Sequence, residues 1–206
     1  MITELDHVAV GVPDLEAGTE WWERVSGVRA APGGSHAGLG THNALASLGG
    51  SLYLELIAVD PSQEVQSPAR DWLAALDEPR PFSWCFGCDD AVATHEAIRA
   101  AGVEAAVFPL TRTKPAGDAL TWHLVYPLHD LGPAIPYLID WGNAESPAVG
   151  APEGCRLVSA TPVHPDPPAA QQTLGALGLE IPVARGPESG LRLRFETPKG
   201  PLDLIS

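Results

Sequence analysis

The chain has 206 residues, of which 45% are hydrophobic and 18% charged, so it can bury a core and is not disordered as a whole. Its formal net charge of −14 makes nucleic acid and anionic membranes poor partners, because their phosphates are repelled. No apolar run approaches the roughly 20 residues of a membrane span, and the opening MITELDHVAV lacks a basic stretch before an apolar one. We therefore expect a cytoplasmic protein that binds neither nucleic acid nor membrane.

The first sixty residues predict a β-α-β-β-β unit. Residues 5–10 form an apolar run with strand character. Asp14 is a candidate N-cap for a helix over residues 15–25, and Gly27 is a candidate stop. Short strands are then predicted up to residues 53–57, so one helix and four strands follow each other in this segment.

The same order returns after residue 80. Residues 82–86 indicate a strand, and Asp90 is placed to cap a helix over residues 91–101. Further strands are predicted at residues 103–109, 120–126 and 135–141. A shift of 77 residues (84 − 7) places His7 on Trp84, and a shift of 85 (140 − 55) places Glu55 on Asp140.

The chain divides into five predicted parts: a first module (1–60), a connecting helix (61–80), a second module (81–142), a linker (143–154) and a third, shorter module (155–206). The third is indicated by internal similarity, because residues 157–166 lie on residues 5–14 at a shift of 152 (157 − 5). The expected fold class is α+β: tandem βαβββ modules forming a cupped mixed sheet, with the third, partial module over an edge. Since three units are an odd number, we expect the third to pair with its copy in a homodimer.

These segments resemble proteins of the vicinal oxygen chelate superfamily, which includes glyoxalase I, extradiol dioxygenases, methylmalonyl-CoA epimerase and the fosfomycin and bleomycin resistance proteins. The run LDHVAVGVPDLEAGTEWW at residues 5–22 is similar to the start of such a module. Residues 38–61 and 123–142 are similar to its glyoxalase-like branch. The resemblance implies the tandem-module fold and a site on the first and fourth strands of a module. It leaves the reaction open, because this superfamily supports many chemistries.

Strand alternation supplies a site from the residues themselves. The apolar set Leu52, Leu54 and Leu56 should lie under the helix, so Tyr53 and Glu55 should point to the opposite, open face. His7 should share that face. An imidazole and a carboxylate suit a divalent ion such as Zn, Fe, Mn or Ni, although a metal-free His–Glu pair would also order such a face. The resemblance favours the metal, because these are the superfamily's ligand strands.

The second module alters the ligand set. Trp84 stands at the position of His7 and cannot bind metal, so we expect it to wall the pocket as a flat substrate-binding surface. Asp140 is a candidate third metal ligand or a general base. His123 lies on the preceding strand and is a candidate catalytic residue or replacement ligand, or else an ordinary histidine of the rim.

Further candidates lie nearer the first module. His42 and Asn43 follow a glycine-rich stretch and are expected to line the pocket with Tyr53, and His36 is a weaker candidate. Cys85 and Cys88 spell C-x-x-C, but a second pair is absent from the sequence and Cys85 matches an under-helix position, so ordinary burial is expected.

Two classes of function remain open on these residues. The first is a metal-dependent enzyme of isomerase, lyase or dioxygenase type, in which a divalent ion held by His7, Glu55 and Asp140 stabilises charge on a small substrate. The second is a metal-free protein that sequesters an apolar small molecule, as the bleomycin-resistance branch implies. His7 and Glu55 favour the enzyme, and Trp84 favours the binding protein.

Overall fold

The computed structural model describes residues 1–113 and 119–206. The strands of this part are β1 (Ile2–Gly11), β2 (Ala31–His36), β3 (Thr41–Gly49), β4 (Leu52–Val59), β5 (Arg80–Cys88), β6 (Ala105–Thr113), β7 (Ala119–Pro127), β8 (Tyr137–Asp140), β9 (Arg156–His164), β10 (Ala184–Arg185), β11 (Gly190–Thr197) and β12 (Gly200–Ile205). The helices are α1 (Leu15–Ser26), α2 (Pro68–Ala74), α3 (Ala91–Ala100) and α4 (Pro167–Ala176), with a single 3-10 turn at Gly132–Ala134. Within the described ranges, no helix combines the length and apolar character that crossing a membrane requires.

Helix α1 shows how the local sequence sets an element. The Asp14 side chain accepts a hydrogen bond of 2.9 Å from the backbone N–H of Ala17, which satisfies one free donor of the first turn. Gly27 ends the helix with a φ of 85°, a left-handed conformation that favours glycine. Trp22 is fully buried, so the apolar side of α1 faces the sheet.

Strands β1 to β8 form one closed mixed barrel in the order β1-β4-β3-β2-β6-β7-β8-β5. The two modules share one internal order, with the first strand parallel to the fourth: β1 beside β4, and β5 beside β8. They join through the antiparallel β1–β5 pair and a short β2–β6 pair. The predicted α+β fold with tandem βαβββ modules is confirmed, and the expected cup curls until its two edges meet.

Strand pairing corrects the first repeat shift. His7 lies opposite Cys85 across the β1–β5 pair, and Val8 lies opposite Trp84. Cys85 points inward beside His7, and Trp84 points to the outer core with Val8, so the equivalent of His7 is Cys85, at a shift of 78 (85 − 7) rather than 77. The run at residues 82–86 is apolar at almost every position, so alternation could not show which side chains face inward.

The second repeat shift changes for the same reason. Tyr53 lies opposite His7 in the β1–β4 pair, and Tyr137 lies opposite Cys85 in the β5–β8 pair. The fourth strands therefore correspond at a shift of 84 (137 − 53) rather than 85. The equivalent of Glu55 is then Ile139, and Asp140 points to the other side of the sheet. A slip of one residue moves a side chain to the opposite face of a strand.

Strands β9 to β12 form a second sheet in the order β10-β9-β11-β12. Its elements follow in the predicted order β-α-β-β-β, but β9 lies between β10 and β11 instead of beside the fourth strand, so residues 155–206 do not repeat the strand order of the modules. Phe195 packs edge-on against Trp22 with ring centroids 5.4 Å apart, and both are fully buried. The apolar face of this sheet is therefore covered by the outer side of the barrel, beside α1.

Helix α2 closes one end of the barrel. Leu73 packs against Ala9 and Ile57, which point inward from β1 and β4. Gly11 permits this close approach, because a Cβ at that position would lie 2.8 Å from the Leu73 side chain.

Residues 141–152, the strap, cross the other end. The Ser47 N–H donates to the Pro152 carbonyl at 2.9 Å. The Ser146 hydroxyl donates to the Ser51 carbonyl at 3.0 Å. The strap is thus fixed to β3 and to the β3–β4 turn, and the interior lies between it and α2.

Candidate active site inside the barrel

His7 lies inside the barrel between two hydrogen-bond partners. Its Nδ1 is 2.6 Å from Asp6 Oδ1, and its Nε2 is 2.7 Å from the Tyr137 hydroxyl. Since a carboxylate only accepts, Nδ1–H donates to Asp6, and in the neutral ring Nε2 accepts from the tyrosine. Burial raises the pKa of Tyr137 well above its usual value, so the phenol keeps its proton and donates it to this bond.

A bulge in β1 places Asp6 beside its neighbour. Leu5 lies opposite Phe86 and His7 opposite Cys85, so Asp6 is an extra residue in this strand. Its second oxygen, Oδ2, accepts from the indole N–H of Trp141 in the strap at 2.9 Å. The carboxylate that orients the imidazole is thereby connected to the strap.

Glu55 belongs to a second polar network. Its Oε1 accepts a 2.5 Å hydrogen bond from Asn43 Nδ2, and Asn43 Oδ1 accepts one of 3.2 Å from Arg112 Nη1. Because a guanidinium only donates, it fixes the orientation of the amide. The same Nδ2 lies 3.1 Å from His36 Nε2, which therefore accepts, while His36 Nδ1 donates to the Thr41 hydroxyl at 2.9 Å.

The two networks meet at the centre of the barrel. His7 Nε2 and Glu55 Oε2 are 3.8 Å apart, and the two residues are only 3% and 7% exposed. The Tyr53 ring stacks on the imidazole with centroids 4.8 Å apart, and burial raises its pKa well above the usual value. An imidazole and a carboxylate thus face each other in the buried interior, each held by its own partners.

The neutral state of His36 gives the first testable prediction. Burial lowers its pKa below the usual 6.5, while the unfolded chain keeps the usual value. The unfolded state then binds more protons, so this contribution to stability is complete above about pH 6.5 and is lost as the pH falls below it. We expect the free energy of unfolding to fall by up to about 1.4 kcal/mol per pH unit for such a histidine, measured by urea denaturation between pH 7 and 5.

A matched variant separates two histidines. Burial also lowers the pKa of His129, which adds a slope of the same sign. His36→Gln should flatten the pH dependence, and His129→Gln should flatten it separately. A His36→Gln protein with the slope of the wild type would contradict the assignment.

Four of the residues predicted for the site come together inside the barrel. These are His7, Glu55, Tyr53 and Asn43, all at most 7% exposed. His42 does not join them, because alternation along β3 turns it to the opposite face from Asn43. His36, the weaker candidate, lies inside instead, with Asn43 and Thr41 as partners.

Trp84 is not a pocket wall. It is 1% exposed and belongs to the outer core with Val8, Trp22 and Leu54, between the barrel and the elements that cover it. Trp122 does point into the interior, and its ring centroid lies 6.1 Å from that of His36.

Asp140 and His123 also lie outside the interior. Asp140 accepts from the Ala91 N–H at 2.9 Å and from the Gly142 N–H at 2.8 Å, so its carboxylate binds the start of α3. His123 pairs with Asp140 across β7 and β8 and is exposed. Neither position suits a ligand or a base acting beside His7.

Cys85 takes the inward position that Trp84 was expected to hold. Donor atoms of Asp6, His7 and Cys85 all lie within 4.8 Å of one another. Burial raises the thiol pKa well above its usual value, so without a metal the sulfur stays protonated. Cys88 lies in the outer core, so the two cysteines of C-x-x-C are on opposite faces and both are free.

The rate at which a thiol reagent labels Cys85 should therefore measure how readily the strap opens. Trp141→Phe removes the hydrogen bond to Asp6, which is worth on the order of 1.5–3 kcal/mol for a charged acceptor. In a background with Cys88→Ala and Cys155→Ala, we expect Ellman's reagent to label Cys85 about tenfold faster or more in the Trp141→Phe variant. Trp21→Phe, on the outside of the barrel, is the matched control, and equal rates in both variants would show that the strap does not guard the thiol.

Sequence reasoning missed Asp6, Tyr137 and Arg112. Asp6 precedes His7 directly, and alternation assigns neighbours to opposite faces unless a bulge intervenes. Tyr137 lay within a predicted strand and follows from the parallel β5–β8 register. Arg112 was visible as a lone basic residue in the otherwise uncharged run AAVFPLTRT, although only the β2–β6 pairing brings it to His36.

The tandem modules and the interior site on the first and fourth strands define a protein of the vicinal oxygen chelate superfamily. Residues 5–178 match the family described as Glyoxalase-like domain, and the chain belongs to this family. No curated protein matches the chain in sequence.

Solved structures share the fold at low identity. A hypothetical protein from Staphylococcus aureus is 13% identical with a TM-score of 0.72, and the match covers 90% of this chain and 87% of that one. A variant of Streptomyces coelicolor methylmalonyl-CoA epimerase in complex with 2-nitronate-propionyl-CoA is 22% identical with a TM-score of 0.51, covering 71% and 99%. A variant of 4-hydroxymandelate synthase from Streptomyces coelicolor is 14% identical with a TM-score of 0.54, covering 99% and 62%. At these identities the likeness is one of fold.

Proposed function

We propose that the protein is an enzyme of isomerase or lyase type that moves a proton on a small carbonyl compound inside the barrel. One observation supports this most: His7 Nε2 and Glu55 Oε2 lie 3.8 Å apart in the buried interior of the barrel. Each is oriented by a separate network, through Asp6 and through Asn43. Acid–base catalysis requires a base and a hydrogen-bond donor on one substrate; Glu55 is the base, and the Tyr137 hydroxyl beside His7 Nε2 is the donor.

The residues suggest the direction of transfer. Glu55 accepts a proton from the carbon next to the carbonyl group, the C–H bond breaks, and its electron pair moves onto the carbonyl oxygen. The Tyr137 hydroxyl donates a hydrogen bond to this developing oxyanion, because its raised pKa keeps it protonated. Return of the proton to either face of the carbon gives an isomer, and loss of a leaving group from the neighbouring carbon gives a lyase product.

The donor set also fits a divalent metal. Asp6 holds Nδ1 of His7, an arrangement typical of metal-binding histidines, and so directs Nε2 toward Glu55. His7 and Glu55 would hold the ion, since Nε2 and Oε2 lie 3.8 Å apart, and nitrogen and oxygen donors suit zinc or iron. When bound, the ion would polarise the oxygen of the substrate. Ile139 replaces the carboxylate of the second module, so that position supplies no ligand.

Metal content tests this part independently of activity. We expect protein without a His tag to retain about one zinc ion per chain after dialysis against Zn²⁺, measured by mass spectrometry of the metal. His7→Ala should lose it, and Cys85→Ala should keep it. His123→Ala, at an exposed histidine of the outer face, should retain it. Equal metal in His7→Ala and wild type would place the ion elsewhere.

A metal-free binding protein is the second candidate. It is favoured by the Tyr137 hydroxyl, which already occupies His7 Nε2, and by the absence of a ligand at Ile139. In that case His7→Ala should weaken ligand binding without any change in metal content, because a polar partner is lost inside the barrel.

Proton exchange separates an enzyme from a binding protein. Pyruvate, 2-oxobutanoate and oxaloacetate are incubated with the protein in D₂O, and loss of the C–H signal next to the carbonyl is followed by proton NMR. We expect exchange above the buffer rate for at least one of these acids. Binding without exchange for all three would favour the metal-free candidate.

A further inference from the structure

Arg112 is a buried cation with spare hydrogen-bonding capacity. It is 5% exposed and carries a permanent charge. Nη1 donates to Asn43, while Nε has no hydrogen-bond partner among the residues that the structure describes. Within the same residues, no carboxylate oxygen lies within 4.0 Å of the guanidinium. A buried, partly unsatisfied charge is unfavourable, so its presence calls for a partner that arrives from solution.

A cavity of about 210 Å³ reaches this guanidinium from the surface. Its walls are the inner faces of β2, β3 and β7, and strap residues 145–151 form its outer side. Leu45 and Leu120 make part of the wall apolar. Glu145 lies at the outer edge and is exposed, so solvent screens its charge.

Gly33 keeps the approach to Arg112 open. A Cβ at this position would lie 2.1 Å from Asn43 Oδ1 and 3.0 Å from Arg112 Nη1. Any side chain here would press on the guanidinium and on the amide that holds Glu55. The backbone of β2 therefore lies beside both groups.

We propose that Arg112 forms an anion subsite that binds a carboxylate or phosphate of the substrate, and so sets the substrate class as small anionic carbonyl compounds. This rests on the proposed function, because the subsite adjoins the acid–base pair. Only the Asn43 amide separates Arg112 from Glu55, so the anionic group and the reacting carbon must be a few bonds apart. At about 210 Å³ the cavity is below the usual range for drug-sized ligands and suits a compact acid.

Binding of simple anions tests the subsite without requiring turnover. The probes are malonate, inorganic phosphate and the neutral analogue malonamide, measured by calorimetry at constant ionic strength. We expect malonate or phosphate to bind and malonamide not to, and the tighter of the two anions identifies a carboxylate or a phosphate site. Arg112→Gln should weaken the anion about tenfold or more, as expected for a lost charge-assisted hydrogen bond. Arg99→Gln, an exposed arginine on α3, is the matched control.

Two further measurements keep the proposal testable if Arg112→Gln does not fold. Arg112→Lys keeps the charge but loses the planar fork, so it should bind with intermediate affinity. In wild-type protein labelled with ¹⁵N-arginine, malonate should shift an Nε–H signal that Arg112→Lys lacks. Absence of binding by both anions, or the same affinity in Arg112→Gln and wild type, would overturn the subsite.

Glu55→Gln separates this proposal from the proposed function. The variant should bind malonate at least as tightly as wild type, because a like charge is removed, and should lose proton exchange. Exchange without anion binding would disprove the subsite alone, and anion binding without exchange in wild type would disprove the enzyme alone.

Discussion

Glu55→Gln should lower the rate of proton exchange by a factor of about 10²–10⁴, the usual contribution of a positioned general base. The amide keeps the shape of the carboxylate and can still lie beside Asn43, but it cannot take a proton. His7→Ala should show a loss of similar size, because the carbonyl side of the substrate loses the residue that Asp6 and Tyr137 orient. Both rates are measured by proton NMR in D₂O on variants whose circular dichroism matches the wild type.

Asp140→Asn is the decisive control for that prediction. The sequence alone predicted Asp140 to be a base or a metal ligand. In the structure its carboxylate accepts a hydrogen bond from the Ala91 N–H in the first turn of α3. The variant should keep its exchange rate and lose roughly 1 kcal/mol of stability, as for a weakened helix N-terminus. If Asp140→Asn abolished exchange while Glu55→Gln kept it, the interior site would be wrong.

Trp84→Ala should destabilise the protein by about 3–5 kcal/mol, since a fully buried indole would leave a large cavity in the outer core. Malonate affinity of the folded fraction should not change, because the residue lies outside the interior. Trp122→Ala is the comparison: its ring faces His36, so anion binding should weaken as well as stability. Urea denaturation measures the first effect and calorimetry the second. A Trp84→Ala protein of normal stability and weakened binding would restore the pocket wall predicted from the sequence.

The helices and the modular order could be predicted because their signals are local. Asp14 and Gly27 mark the ends of α1 by side-chain capping and by a left-handed turn, and neither depends on distant residues. Glu55 could be placed because its strand alternates strictly between leucine and other residues. The family resemblance then supplied the neighbouring positions of the first and fourth strands.

The second half of the site could not be placed because its strands do not alternate. At residues 82–86 both faces are buried, one against the outer core and one in the interior, so Trp84 and Cys85 are equally apolar choices. At the end of β8, Asp140 is a carboxylate like Glu55, so the two residues were aligned. The correct alignment places Glu55 on Ile139, one residue earlier. The inward position of Asp6 depends on a bulge in β1, and that of Arg112 depends on the two-residue pairing of β2 with β6. Both features are determined by the closure of the whole barrel.

The strap has a consequence for which molecules can enter. It continues from β8 and leads into β9, and Trp141, Ser146 and Pro152 hold it to the barrel along its length. A segment tethered at both ends can bow outward but cannot swing clear as a free flap does. A substrate of the proposed reaction would therefore have to enter beside it, where cavities of about 210 and 310 Å³ open on its two sides. For the proposed reaction such a mouth would act as a sieve, which would reject bulky or branched molecules by their width before charge or reactivity could distinguish them.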